Sequence, residues 1–176
     1  DQCYQFDFYD GGGLDIAFLS FGEVDPAGHV NVSRFADKII GIGGFINISQ
    51  NAKKVIFSGT FTAGGLETDC VNGQLRITTE GRFARFVKDI EQICYNARFA
   101  EEQGRTALFV TERAVLKAVD GVLEVIEIAP IRGSGRFASG LEEFLARTLP
   151  LPARLPHATA EEAAAAYNAA LAKARD

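Results

Sequence analysis

Few side chains in this sequence have the type and spacing to do chemistry. His29 and His157 are the only histidines, and they stand too far apart to read as a ligand pair. Cys3, Cys70 and Cys94 form no Cys-x-x-Cys pair, so neither a disulfide framework nor a metal site is expected. The phosphate-binding pattern Gly-x-x-x-x-Gly-Lys-Ser/Thr is absent, and so is the Gly-x-Ser-x-Gly of nucleophile-elbow hydrolases. Gly41-x-Gly43-Gly44 lacks the third glycine of a dinucleotide fingerprint. Ser134 lies between two glycines in a stretch of linker composition. What remains is backbone chemistry. Gly43 and Gly44 carry no side chain, so their N–H groups can face a ligand at close range. The same pair equally suits a tight turn that needs positive φ. Residues 45–52 could add two helical turns, whose start would favour negative charge.

The elements around these glycines read as one core. The chain has 176 residues and is 47% apolar, enough for a single ordinary domain. Its net charge of −5 offers no basic footprint for nucleic acid. No apolar run approaches the roughly 18 residues of a membrane span, and no signal-peptide pattern opens the chain, so a soluble, cytoplasmic protein is expected. There is no methionine and the first residue is Asp1, which reads as a piece of a longer protein.

The aromatic stretch Tyr4-Gln5-Phe6-Asp7-Phe8-Tyr9 is strand-like by alternation, and Asp10-Gly11-Gly12-Gly13 is a loop. Residues 14–21 are an apolar run of strand length, with Ile16, Ala17, Phe18 and Leu19 consecutive, the pattern of a strand buried on both faces. Asp25-Pro26-Ala27-Gly28 is a turn and residues 30–32 a short strand. Residues 55–61 and 106–111 read as strands and 96–103 as a helix. Asn72-Gly73 and Asp120-Gly121 each separate two apolar runs, which predicts two hairpins. The sum is a layered α/β domain with a mixed sheet. Beyond Pro130 the composition shifts. Residues 141–149 are a short amphipathic helix candidate. Thr159-Ala160-Glu161-Glu162 is a capping-box pattern ahead of an alanine-rich segment, residues 163–175. The expected division is therefore a domain over residues 1–130 and a divergent helical tail over residues 131–176.

Several segments together carry a resemblance. Residues 5–19, from Gln5-Phe6-Asp7-Phe8-Tyr9 through the Gly11-Gly12-Gly13 loop, are one. Gly41-Ile42-Gly43-Gly44-Phe45-Ile46-Asn47-Ile48-Ser49-Gln50-Asn51 is the second, and Gly59-Thr60-Phe61-Thr62-Ala63-Gly64-Gly65 follows it. Phe109-Val110-Thr111-Glu112-Arg113-Ala114-Val115 and Ile126-Glu127-Ile128-Ala129-Pro130 complete the order. The first 130 residues thereby resemble family I coenzyme A transferases of the propionate/acetate and 3-ketoacid type. The resemblance implies an open α/β layered fold shared with ribose-phosphate isomerase, of which this chain is an incomplete second half. It also implies CoA transfer from a short-chain acyl-CoA to a carboxylic acid through a glutamyl-CoA thioester. Coenzyme A is then a substrate and no separate cofactor or metal is required. The N-terminal half of the same enzyme is an expected partner, in a homo-oligomer.

The family's nucleophilic glutamate motif is missing from this sequence; Glu80-Gly81 is the only Glu-Gly pair and lacks the downstream glycines. Within the resemblance, Gly43, Gly44 and Phe45 are the expected oxyanion and thioester pocket. Gly12, Gly13, Glu23 and Asn31 are expected to shape it. Glu23 as a solvated turn residue and Asn31 as a turn amide are the plain alternatives. Lys53 and Lys54 could meet CoA phosphates or form a solvated pair. A sensor domain of the same fold and an interaction subunit are the competing function classes. The low bulky apolar content of the tail predicts that limited proteolysis cuts first near residues 133–140 or 150–156. Early cleavage within residues 55–61 would contradict this division.

Overall fold

The computed structural model describes residues 1–71 and 74–128. Its first element departs from the expected strand. Residues Gln2–Asp10 form a helix, α1. Alternating aromatics fit a strand, but the helix brings Phe6 and Tyr9 edge to face at 5.7 Å and lets the Gln5 amide donate to the Tyr9 hydroxyl. The glycine loop then ends it: the N–H groups of Gly11, Gly12 and Gly13 donate to the carbonyls of Asp7, Tyr9 and Phe8. α1 buries none of its own residues and is tethered to a second helix, α2 (Phe45–Asn51). There the amides of Asn47 and Asn51 both donate to the Asp10 carboxylate. Tertiary tethering, not amphipathic patterning, sets this helix.

Five strands build the sheet: β1 (Ile16–Leu19), β2 (Lys54–Ser58), β3 (Thr106–Val110), β4 (Ala114–Val119) and β5 (Val122–Ile128), side by side in that order. β1, β2 and β3 are parallel, and β4 and β5 are antiparallel additions, so the sheet is mixed as expected. The register aligns Ala17, Val55 and Ala107 across the first three strands, and Phe57 with Phe109. These side chains, with Ala114, Leu116, Ala118, Leu123 and Val125, make one buried face. α2 and a third helix, α3 (Ala97–Glu102), pack on it, and α3 is capped by Asn96, whose side chain accepts from the Phe99 N–H.

The aromatic residues fill the space between the layers. Phe57 and Phe109 stack at 5.1 Å, Tyr95 meets Phe57 edge to face at 5.0 Å, and Phe45 stacks on Phe57 at 5.9 Å. Phe21 touches both Phe109 and Phe86, and Phe61 stacks on Phe86.

One expected burial pattern is corrected. β1 is not buried on both faces: Ala17 is inside, while Ile16 is 42% and Phe18 68% exposed. The run sits at the sheet's edge, where only one side has a covering layer.

The hairpin at Asp120-Gly121 forms as expected, with φ of 50° and 75° at the two turn residues; Asp and Gly tolerate that region. Strands Glu67–Val71 and Gln74–Thr79 pair antiparallel, as the second hairpin requires, but Asn72-Gly73 itself lies outside the described residues. So do the linker and helices expected beyond residue 128.

Phe57→Ala should lower unfolding free energy by about 3–5 kcal/mol, because truncating a buried aromatic leaves a cavity; urea denaturation followed by circular dichroism measures it. Tyr95 gives a pH test. Burial pushes its phenol up to about 12 from 10.0, with Glu101 adding to the rise and Arg105 opposing it. The folded state therefore ionises later than the unfolded state. Its stabilisation is complete below pH 10 and is lost as pH rises toward 12, at up to about 1.4 kcal/mol per pH unit. Tyr95→Phe should flatten that decline in chemical denaturation curves taken across the window.

Candidate functional site

In a parallel α/β sheet, ligands gather outside the carboxyl ends of the strands. Four described segments converge there: the loop after β1, the loop before α2, the loop after β2 and the β3–β4 turn.

Gly43 and Gly44 lie in the loop before α2. Phe45 stacks on Phe57 toward the end of β2, while the other end of α2 leads through Ala52 into the start of β2. The helix thus runs against the strand and holds its N-terminus at the carboxyl edge. Gly43 has φ of 54° and a Cβ there would meet nothing within 4 Å. Gly44 has φ of −85°, and a Cβ there would come 3.1 Å from the Phe6 ring of α1. Among the described residues, no carbonyl or side chain takes the N–H of Gly43 or Gly44. The Phe45 N–H, in contrast, donates to the Ile42 carbonyl at 3.1 Å. Phe45 therefore anchors the loop by its ring and is not a free donor.

Glu23 and Asn31 face each other across a two-residue ribbon, Glu23–Val24 with Val30–Asn31, reached from the end of β1. Asn31 is fully buried. Its amide donates to the Glu23 carboxylate at 2.9 Å and to the Arg34 carbonyl at 2.6 Å, and its oxygen accepts from the N–H groups of Ser33 and Arg34. Both of its donors and its acceptor are engaged within the protein. Asn31 thus positions half-buried Glu23 and organises its own turn. Cys94 joins this cluster, its thiol 3.3 Å from the Ser33 hydroxyl.

Gly12 and Gly13 stand elsewhere. They precede β1, at the amino edge of the sheet, where a Cβ on Gly13 would run into the Phe8 ring. They shape the end of α1, not the pocket around Gly43. Lys53 is at that same amino edge, paired with Asp15 at 2.6 Å on an exposed surface. The Asp15 carboxyl is held below its ordinary value by that hydrogen bond and by the charge of Lys53.

Arg113 was not singled out by its sequence position. It is 1% exposed, in the β3–β4 turn, and its guanidinium forks onto the Glu80 carboxylate at 2.9 and 2.5 Å. Its Nε donates to Glu112 at 2.8 Å, and the other Glu112 oxygen accepts from the Phe61 N–H. The Phe61 ring lies 5.0 Å beneath the guanidinium. Burial alone would lower the Arg113 pKa, but the hydrogen bonds and charges of Glu80 and Glu112 outweigh it and the net shift is upward. The cluster ties the loop after β2 to the β3–β4 turn. The sequence signal was a charged pair, Glu112-Arg113, embedded between apolar strands.

A depression of about 620 Å³ lies away from this edge, lined by Ala27, His29, Arg98, Glu101, Glu102, Asp120 and Gly121. Its charged groups are occupied: Arg98 pairs with Glu102, and Glu101 accepts from the N–H groups of Asp120 and Gly121. Among the described residues, no three His, Cys, Asp or Glu side chains are grouped to hold a metal, and no helix is long and apolar enough to cross a membrane.

No family model matches the chain. It is 48% identical over 130 residues to the acetate CoA-transferase YdiF of Escherichia coli K12, covering 74% of this chain and 24% of that protein. It is 44% identical over 135 residues to a caffeate CoA-transferase of Acetobacterium woodii. The chain belongs to the CoA-transferase family. The fold agrees: a crystal structure of the acyl-CoA transferase YdiF of E. coli O157:H7, as a thioester complex with CoA, matches with a TM-score of 0.73 at 43% identity, covering 85% of this chain and 27% of that one. The chain spans about a quarter of the length of the curated relatives it matches.

Removing the buried cation tests the edge cluster. Arg113→Ala should cost about 3–5 kcal/mol, because Glu80 and Glu112 then face each other without a counter-charge. Arg113→Lys should cost less but lose the fork onto Glu80. Thermal melts of both variants read the difference. Equal melting points for Arg113→Ala and the parent would refute a stabilising role.

Proposed function

We propose that this chain supplies one wall of the active site in an enzyme that transfers coenzyme A from a short-chain acyl-CoA to a carboxylic acid such as acetate, propionate or a 3-ketoacid. The observation that carries the reading is the pair of uncommitted N–H groups at Gly43 and Gly44, on the carboxyl edge of a parallel sheet in a member of this family. A glutamate from the part of the polypeptide not represented here attacks the thioester carbonyl. The tetrahedral oxyanion that forms takes hydrogen bonds from the two glycine N–H groups. Its collapse expels the CoA thiolate and leaves an acyl-glutamyl anhydride. The thiolate then attacks the glutamyl carbonyl, giving a glutamyl-CoA thioester and the free donor acid. The acceptor carboxylate repeats the sequence in reverse and leaves with CoA. The thioester complex with CoA of the E. coli relative supports a thioester on the path.

Phe45 fixes the loop through Phe57, and Asn31 holds Glu23 at the same edge of the sheet. The expected partners are the acyl-CoA, the acid and the remaining polypeptide, in a cytoplasmic homo-oligomer that needs no separate cofactor.

Two experiments test the proposal. The 176-residue chain assayed alone with acetyl-CoA and propionate should show no turnover, since it carries no glutamate motif; turnover by the chain alone would sink the mechanism. The second uses a chimera in which this chain replaces the matching quarter of the E. coli acetate CoA-transferase. Gly44→Pro removes the N–H at a φ of −85° that proline nearly tolerates, and Gly44→Ala keeps the N–H while adding a Cβ against Phe6. Loss of one such donor should cut kcat about a hundred- to a thousandfold in the proline variant, with a far smaller loss in the alanine variant. Equal loss in both would return these glycines to a packing role.

A further inference from the structure

The carboxyl edge holds a second arginine, and its charge is left unanswered. Arg85 is half-buried, and its backbone is held from two sides. Its N–H donates to the Phe61 carbonyl at 3.2 Å, and its carbonyl accepts from the Val24 N–H at 2.7 Å. The loops after β1 and β2 thus clamp the residue between them. Its guanidinium lies 5.5 Å from the centre of the Phe21 ring, and Nη1 donates to the Phe21 carbonyl at 2.6 Å. Gly59 stands beside it: a Cβ there would come 3.2 Å from Nη1. Phe21 and Gly59 lie just beyond the last residues of β1 and β2, so the cation sits where two adjacent parallel strands end. Phe57, on which Phe45 holds the Gly43-Gly44 loop, is two residues before Gly59.

One carbonyl and one ring face do not balance a guanidinium. Among the described residues no carboxylate pairs with Arg85, and its other N–H groups have no acceptor. Arg113, also seated on a phenylalanine ring, has two carboxylates. A cation partly withdrawn from water is costly without a counter-charge, and a ligand can supply one. The charge and the fork of donors call for an oxyanion. A short-chain acid offers a carboxylate and little else to recognise. The Gly43 and Gly44 N–H groups are taken in the proposed mechanism by the thioester oxygen. Arg113 is already committed, and Arg82 is exposed, donating to the Gly64 carbonyl. Arg85 is the half-buried cation left at this edge to meet that carboxylate.

We infer that Arg85 binds the carboxylate of the acid substrate, using its open N–H groups while Phe21 holds it from beneath. The donor acid that leaves and the acceptor acid that enters carry the same group, so one cation serves both. The inference rests on the function proposed above and adds the residue that recognises its acid.

The test uses the chimera in which this chain replaces the matching quarter of the E. coli acetate CoA-transferase. Arg85→Gln should raise KM for propionate about ten- to a hundredfold, the loss expected for a charge-assisted hydrogen bond. It should leave kcat at saturating acid and KM for acetyl-CoA within about threefold of the parent. Arg85→Lys keeps the charge without the fork and should fall between the two. Arg98→Gln, away from this edge, is the control and should match the parent. An unchanged KM for propionate in Arg85→Gln would overturn the inference. A fall in kcat with both KM values unchanged would also do so, by making the glutamate nucleophile the counter-ion. Acetyl-pantetheine, which lacks the nucleotide phosphates, separates a third source. A KM raised for acetyl-CoA alone, and not for acetyl-pantetheine or propionate, would assign Arg85 to a CoA phosphate and overturn the carboxylate. Circular dichroism checks folding; if Arg85→Gln does not fold, a parent-like KM for propionate in Arg85→Lys overturns the inference instead. Saturation-transfer NMR of propionate on the same chimera reads binding without turnover. Propionate bound by the parent and lost in Arg85→Gln, with no CoA transfer by either, would keep this site and sink the proposed function. An active chimera whose propionate signal and KM ignore Arg85→Gln would do the reverse.

Discussion

The stack of Phe57 on Phe109 joins everything that matters at the carboxyl edge. Those rings are opposed because β2 and β3 are parallel and in register at that pair. From Phe57 the contact passes to Phe45, which holds the Gly43-Gly44 loop. From Phe109 it passes to Phe21, in the loop that leads to Glu23, and then to Phe86 and Phe61. Phe61 ends the path beneath the Arg113 guanidinium. Rings at offset-stacked and edge-to-face spacings interact beyond their buried area, and each fixes the next one's orientation. Loops that would otherwise be set independently are thereby set together.

Polar groups complete what the rings begin. A guanidinium taken fully from water is tolerable only when its donors are satisfied and its charge is balanced. Glu80 and Glu112 do both for Arg113, and Glu112 also takes the Phe61 N–H. Asn31 plays the same part for the ribbon that carries Glu23, with each of its hydrogen-bonding groups engaged. Arg113, Glu112 and Asn31 are thus committed to holding loops in place at this edge, while among the described residues the N–H groups of Gly43 and Gly44 have no acceptor.

The unequal finish of the sheet belongs to the same picture. Its inner face is closed by α2, α3 and the aromatic path, while β1 presents Ile16 and Phe18 outward. A chain spanning a quarter of its relatives' length holds a complete core on one side of the sheet and an apolar surface on the other.

The mixed sheet, the two hairpin pairings and the helices at Phe45–Asn51 and Ala97–Glu102 were legible in the sequence, because turn dipeptides and strand-length apolar runs are local signals. The family was legible too, through blocks of residues in a fixed order. The sequence misled where a pattern had two physical meanings. Aromatics at alternate positions in Gln2–Asp10 also fit a helix, and only Asp10 bonding to α2 and the glycine loop bonding back to α1 decide between them. An unbroken apolar run states that a strand can be buried on both faces, not which neighbours are present to bury it. The separation of Gly12 and Gly13 from Gly43 and Gly44, at opposite edges of one sheet, is equally invisible along the chain, since both are glycine loops before an ordered element. Burial of Arg113 was beyond reach for the same reason: charge is a property of the residue, but desolvation depends on what three distant loops place around it.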